Sequence, residues 1–222
     1  MSKCIAIDGP AGAGKSTIAK IVAGKLGFIY VDTGAMYRAM ALYMIKNNIP
    51  KEDSEKISST CQSADITIKY EDGAQVVYLN GENVNGLIRT EEVGNMASVS
   101  STNGDVRKKL VELQQKLASE TSVVMDGRDI GTVVLPNAEL KVFLTASSRV
   151  RAERRFKELT AKGQECNLEK IEADIIERDN RDMTREISPL KQAEDAILVD
   201  SSDMTIEEVS DRIIELYKSK TC

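Results

Sequence analysis

Along the first part of the chain, short apolar runs alternate with stretches whose apolar residues recur at helical spacing. Residues 3–8 read as a buried strand, and Lys15–Leu26 as a helix with Ile18, Ile21, Val22 and Leu26 on one face. A second short strand at 29–31 precedes a second helix at 35–47, which stops near Pro50. Period two then replaces this alternation. Residues 66–70 and 75–79 predict exposed antiparallel strands joined through Asp72-Gly73, and Asn80-Gly81 offers a further hairpin turn. Helices follow at Glu91–Ser100 and 106–119, and apolar runs at 123–125 and Leu140–Thr145 return as core strands. Two charged helices, Ser148–Ala161 and 168–185, flank a turn at Gly163, and Ile197–Asp200 predicts the last strand. Thr205 and Glu208 form a capping-box pair for a final helix with Ile206, Val209, Ile213 and Leu216 toward the core. The fold class is α/β, a parallel sheet wrapped by helices and interrupted by a small antiparallel sheet at about 64–86.

With 222 residues, the chain has room for one well-buried core and a small subdomain. Its 41% hydrophobic and 29% charged content is that of a folded globular protein. No apolar run approaches the roughly 18 residues that span a bilayer. The glycine-rich turn at Gly9 lies where a signal peptide would still be running, so the expected location is the cytoplasm. A net charge of −5 disfavours the broad cationic surface of a nucleic-acid binder. Small-molecule partners are expected, and a monomeric chain. Cys4, Cys61, Cys166 and Cys222 show neither metal-ligand spacing nor a disulfide framework and read as reduced thiols. Histidine is absent, which excludes His-based triads, His metal ligands and a phosphohistidine intermediate.

Between the first strand and the first helix, Gly9-Pro10-Ala11-Gly12-Ala13-Gly14-Lys15-Ser16 fits G-x-x-x-x-G-K-S/T in the strand-turn-helix context that this motif requires. Its glycines let successive backbone N–H groups turn inward around a phosphate, and the helix N-terminus adds partial positive charge. Lys15 reaches the β- and γ-phosphates of a nucleotide, Ser16 supplies a hydroxyl to Mg2+, and Thr17 completes the phosphate-binding stretch. The motif alone leaves a kinase, a GTPase switch and a motor ATPase open. An Asn-Lys-x-Asp guanine-reading motif and a Leu-Ser-Gly-Gly transporter signature are both absent, which weakens the last two. Asp126 ends an apolar run, either as a carboxylate acting on Mg2+ through water or as a turn aspartate capping the next segment.

After the second strand comes Asp32-Thr33-Gly34-Ala35-Met36-Tyr37-Arg38, and Asp126-Gly127-Arg128-Asp129 closes a later strand. Further motifs are the GPAGAGKST opening, Arg89-Thr90-Glu91-Glu92-Val93, GRDIGTVV, Glu177-Arg178-Asp179-Asn180-Arg181-Asp182 and Pro189-Leu190. Together they resemble the cytidylate kinases of the bacterial type along almost the whole chain, inserted sheet included. The resemblance implies a single P-loop kinase domain over 1–222, a three-layer fold with a parallel sheet core. Its monophosphate-binding region would span about 33–100 and its helical lid about 148–166. It further implies transfer of the γ-phosphoryl group of ATP to CMP, and to dCMP, with Mg2+. By matched position, Arg38, Arg128 and Arg185 hold the acceptor phosphate and act in catalysis with Lys15. Arg178 and Asp182 address the ribose, Ser98, Arg107 and Asp129 read cytosine, and Thr33 and Tyr37 line the same pocket. Some members carry glycine where this chain has Ser16, whose hydroxyl favours direct Mg2+ coordination.

Seven of the twelve arginines fall between Arg149 and Arg185, and arginine suits bidentate phosphate recognition. Arg178, Arg181, Asp182 and Arg185 stand at i, i+3, i+4 and i+7 of a helix, forming either a phosphate-gripping stripe or a solvated charged face. Arg151, Arg154 and Arg155 share another face and are the lid candidates, with Arg154 and Arg155 directed to ATP, unless they pair with Glu153 and Glu158. Asp129 has a similar alternative, pairing with Arg128 or Arg107 to hold its loop. The rival functions are a P-loop kinase for another acceptor, such as UMP, AMP or a hydroxylated metabolite, and a nucleotide-dependent switch acting through a partner.

Overall fold

The computed structural model describes residues 2–71 and 73–221; Asp72, expected in a turn, and Cys222 lie outside the described residues. The most continuous apolar run makes the central strand. In β1 (Cys4–Asp8), Ile5, Ala6 and Ile7 are fully buried, because paired strands on both sides and packing on both faces leave no position for alternation. β1 pairs in parallel with β6 (Val123–Gly127), Ile5 opposite Val124, and with β7 (Leu140–Thr145), Ile5 opposite Leu140. β8 (Ile197–Asp200) extends the sheet beyond β7 and β2 (Ile29–Asp32) lies at the other edge, giving the order β2-β6-β1-β7-β8.

The chain divides into two compact units, and the boundary falls inside β2. The first comprises Met1–Ile29 with Thr121–Cys222, the second Tyr30–Glu120. In the first unit, α1 (Lys15–Leu26) packs on α8 (Ile206–Thr221), and Phe28 meets Tyr217 edge to face at 5.6 Å. α6 (Ser148–Ala161) and α7 (Leu168–Thr184) pack on each other. Thr205 and Glu208 form the expected capping box, with Thr205 N–H donating to Glu208 Oε2 at 2.7 Å and Glu208 N–H to Thr205 Oγ1 at 3.2 Å. Ile206 does not face the core. It is 55% exposed, because the first residue of α8 precedes the stretch that packs, where Val209, Ile213, Ile214 and Tyr217 are buried. The helix expected over 168–185 ends at Thr184, and Arg185 is an extended cap residue with ψ of 141°.

In the second unit, β3 (Ile66–Glu71), β4 (Ala74–Leu79) and β5 (Glu82–Asn83) form the antiparallel insert, with Ile68 opposite Val77. α2 (Thr33–Lys46) begins two residues before its expected start, because Asp32 accepts the Ala35 N–H at 2.9 Å as the N-cap. Gln75 of β4 exchanges two hydrogen bonds with the Asp32 backbone, at 2.7 and 3.2 Å. α4 (Glu91–Ser100) packs on α2, and α5 (Gly104–Glu120) lies against α3 (Ser54–Cys61). α3 was not expected: only Ile57 and Cys61 are buried in it, too few to show a period, although Asp53 caps it through the Lys56 N–H at 3.0 Å. Among the described residues, no helix is long and apolar enough to cross a membrane.

Candidate active site

β1 ends on Asp8, and the chain enters the glycine-rich turn at Gly9. A Cβ there would collide with the Leu144 carbonyl oxygen of β7, so only glycine lets the turn pass. Gly12 and Gly14 adopt left-handed φ of 77° and 85°. No side chain caps α1, which leaves its N-terminal N–H groups for an anion. Lys15 folds back over the turn, its Nζ donating to the Pro10 carbonyl at 2.7 Å, and the residue is only 6% exposed. Burial pushes its pKa well below the ordinary lysine value; the charges of Arg128 and Arg178 push the same way, while Asp126 and Asp8 oppose them. An anion bound in the turn would favour the charged form.

Ser16 Oγ donates to Asp126 Oδ2 at 2.9 Å. Asp126 is a buried residue inside β6, with Gly127 continuing the strand after it. Of the two roles the sequence left open for it, the contact with Ser16 is compatible with the one beside the phosphates. A hydroxyl and a carboxylate together are hard oxygen donors of the kind Mg2+ takes.

Two buried charges stand behind the turn, one bracing it and the other fixing the segment that follows β6. Arg151 Nε donates to the Ala146 carbonyl and Nη1 to the Ala11 carbonyl, each at 2.9 Å, and Nη2 pairs with Asp179 at 2.7 Å. Arg151 is therefore a brace between α6, α7 and the turn. Asp8 accepts the Ile130 N–H on one carboxylate oxygen and the Gly131 N–H on the other, both at 2.7 Å. Burial raises its pKa to about 6, against the lowering effect of those two hydrogen bonds. Residues Ile130–Val134 form a single π-helical turn, closed by Leu135 N–H donating to the Ile130 carbonyl at 2.6 Å.

The expected arginine stripe separates into different environments. Arg128 Nε pairs with Asp182 Oδ2 at 2.8 Å, so two of the expected site residues meet. Arg178 is close enough to Lys15 to act on its charge. Arg181 pairs with Glu177 at 3.7 Å on the helix surface, and Arg185 Nε donates to the Ser188 carbonyl at 2.7 Å. Arg154 donates to the Ser201 carbonyl at 2.7 Å, and Arg155 pairs with Glu158 at 2.7 Å. Neither belongs to the turn in this state.

In the second unit, α2 presents Thr33, Tyr37 and Arg38. Thr33 is buried, and the Tyr37 ring lies 5.6 Å from the guanidinium of Arg107, itself buried and donating to the Ser101 carbonyl at 3.1 Å. Ser98 is half-buried on α4. Arg38 donates to the Ile88 carbonyl at 3.1 Å and touches the position of Gly94, where a Cβ would come within 3.2 Å of Nη1. Arg89 pairs with Asp32 at 2.7 Å. Burial lowers the Arg38 pKa, the Arg89 charge lowers it further, and Asp32 opposes both. Two guanidinium groups held this near one another favour a bound dianion.

The family model described as cytidylate kinase matches residues 5–219. The chain belongs to the cytidylate kinase family. A cytidylate kinase of Caldicellulosiruptor bescii is 54% identical over 96% of this chain and 94% of that protein. One from Listeria welshimeri is 55% identical over 98% of this chain and 96% of that protein. Among solved structures, an uncharacterized protein from Eubacterium ventriosum aligns over 99% of both chains with a TM-score of 0.53 at 14% identity, a likeness of fold alone. Within this chain, sequence reasoning missed Asp8, the bracing role of Arg151 and the Arg89–Asp32 pair. A polar residue closing an otherwise apolar strand was the available signal for Asp8. Nothing local marks Arg151, whose carbonyl partner Ala11 is 140 residues away.

Proposed function

We propose that the protein transfers the γ-phosphoryl group of ATP to CMP, and to dCMP, forming ADP and the cytidine diphosphate. The observation that carries this is the buried Lys15 folded over a glycine-rich turn, beside the Ser16–Asp126 pair, in a chain of the cytidylate kinase family. The acceptor phosphate is already an oxyanion at neutral pH, since its second pKa is near 6, so no general base is needed. A chain without histidine is suited to that reaction.

Gly9, Pro10, Ala11, Gly12, Ala13, Gly14, Lys15, Ser16 and Thr17 hold the ATP phosphates. Ser16, with Asp126 behind it, would hold Mg2+, a source of positive charge beside the phosphates. Arg38, Arg128 and Arg185 hold the acceptor phosphate, Arg178 and Asp182 the sugar, and Ser98, Arg107 and Asp129 the base, with Thr33 and Tyr37 lining its pocket. Arg154 and Arg155 reach ATP only by releasing Ser201 and Glu158, and the exposed Arg155 pair is weak enough to permit this. In these roles the chain's residues align two phosphates and spread charge over fixed cations.

Purified protein with ATP and Mg2+ is expected to form CDP from CMP, followed by chromatography of the products. ATP hydrolysis without CDP would overturn the reading in favour of a switch, and faster turnover of UMP or AMP would reassign the acceptor. Asp182→Ala is expected to raise KM several-fold for both CMP and dCMP, because Arg128 loses its partner at 2.8 Å. The loss is expected to be larger for CMP, whose 2′-hydroxyl alone can donate to this carboxylate. Equal losses would assign Asp182 to orienting Arg128 only.

A further inference from the structure

We propose that Asp8 is a positioning residue for the acceptor, its carboxylate fixing through the Ile130 and Gly131 N–H groups the turn on which Arg128 and Asp129 stand. The proposal rests on the reading that those two residues contact the acceptor nucleotide.

Asp129 occupies the position just before the helical turn Ile130–Val134, with φ of −145°, where an aspartate ordinarily caps with its own carboxylate. Its side chain makes no such bond. Asp8 supplies the carboxylate instead, from the end of β1, 122 residues earlier in the chain. Because one oxygen takes the Ile130 N–H and the other the Gly131 N–H, two consecutive peptide planes are fixed at once. Asp8 is 4% exposed, so water does not compete for these bonds. Glycine at 131 permits the approach: a Cβ there would lie 3.4 Å from Asp8 Oδ2 and 3.1 Å from Lys141 Cδ. On the other side, Gly9 locks the backbone that follows Asp8 against β7. Capping from β1 fixes the backbone at Ile130 and Gly131, and with it the direction in which the chain presents Arg128 and Asp129.

The test is steady-state kinetics of Asp8→Asn. An amide in this place turns a donor toward a donor, and the turn must rotate. KM for CMP is expected to rise about tenfold or more, the scale on which small misplacements act, while KM for ATP stays within about twofold. Equal rises for both substrates, or no change in either, would overturn the proposal. Should Asp8→Asn not fold, Gly131→Ala displaces the same turn from the other side, and the same split or its absence decides. Asp129→Ala, measured alongside for its CMP-to-UMP ratio, tests the base reading separately. An unchanged ratio there removes the base contact, while the KM split of the Asp8 variant still decides whether Asp8 positions the acceptor.

Discussion

Lys15→Ala is expected to lower turnover of ATP with CMP by at least about a hundredfold, the scale on which removal of one positioned electrostatic group acts. The residue is nearly buried, its amine lies 2.7 Å from the Pro10 carbonyl, and burial and two arginines work against its charge. A cation held at that disadvantage gains most when a phosphate dianion arrives, and it gains further as charge moves toward the bridging oxygen in the transition state. Lys15→Arg is expected to fail too, since a planar guanidinium cannot take the place of a point charge folded inside a glycine turn. Thermal unfolding of both variants, measured beside kcat, separates loss of catalysis from loss of fold. Near-normal turnover in a folded Lys15→Ala variant would mean that the turn does not cradle the reacting phosphates.

Legibility in the chain follows the range of the interaction. Lys15–Leu26, Leu140–Thr145, Ser148–Ala161 and Ile197–Asp200 have the bounds that their apolar pattern and punctuation predict, because strand continuity and helix capping act over a few residues. The glycine-rich turn is legible for the same reason, its motif lying between Gly9 and Thr17, whereas its partners Asp126 and Arg151 are distant in the chain. Charged clusters are different. Arg149, Arg151, Arg154 and Arg155 look alike within one helix, yet Arg149 pairs with Glu172, Arg151 is buried against Asp179 and two carbonyls, and Arg155 stays with Glu158. The Arg155–Glu158 pair was open to spacing within α6, but the fates of Arg149 and Arg151 depend on α7 and the turn, which that spacing does not record. Asp8 and its two N–H partners are hidden in the same way, as is Ile206, whose period is correct but whose place at the end of α8 is not.

Asp129→Ala is expected to lower kcat/KM for CMP by roughly tenfold to a hundredfold and that for UMP far less, narrowing the preference between them. Cytosine presents an N4 amino donor beside the N3 and O2 acceptors, whereas uracil presents an O4 acceptor and an N3–H donor beside O2. Under the proposed reading, the Asp129 carboxylate, with the Ser98 hydroxyl, would accept from the cytosine amino group, and Arg107 would donate toward N3 and O2. Uracil would set an oxygen against the carboxylate and an N–H against the guanidinium, mismatches that are severe at buried groups; Asp129 is 5% exposed and Arg107 4%. The measurement is kcat/KM for CMP and for UMP with wild-type and variant protein, after thermal unfolding shows the variant folded. A variant that keeps the wild-type ratio, with both substrates slowed alike, would show that the Asp129 carboxylate holds structure and that the base is selected by other groups.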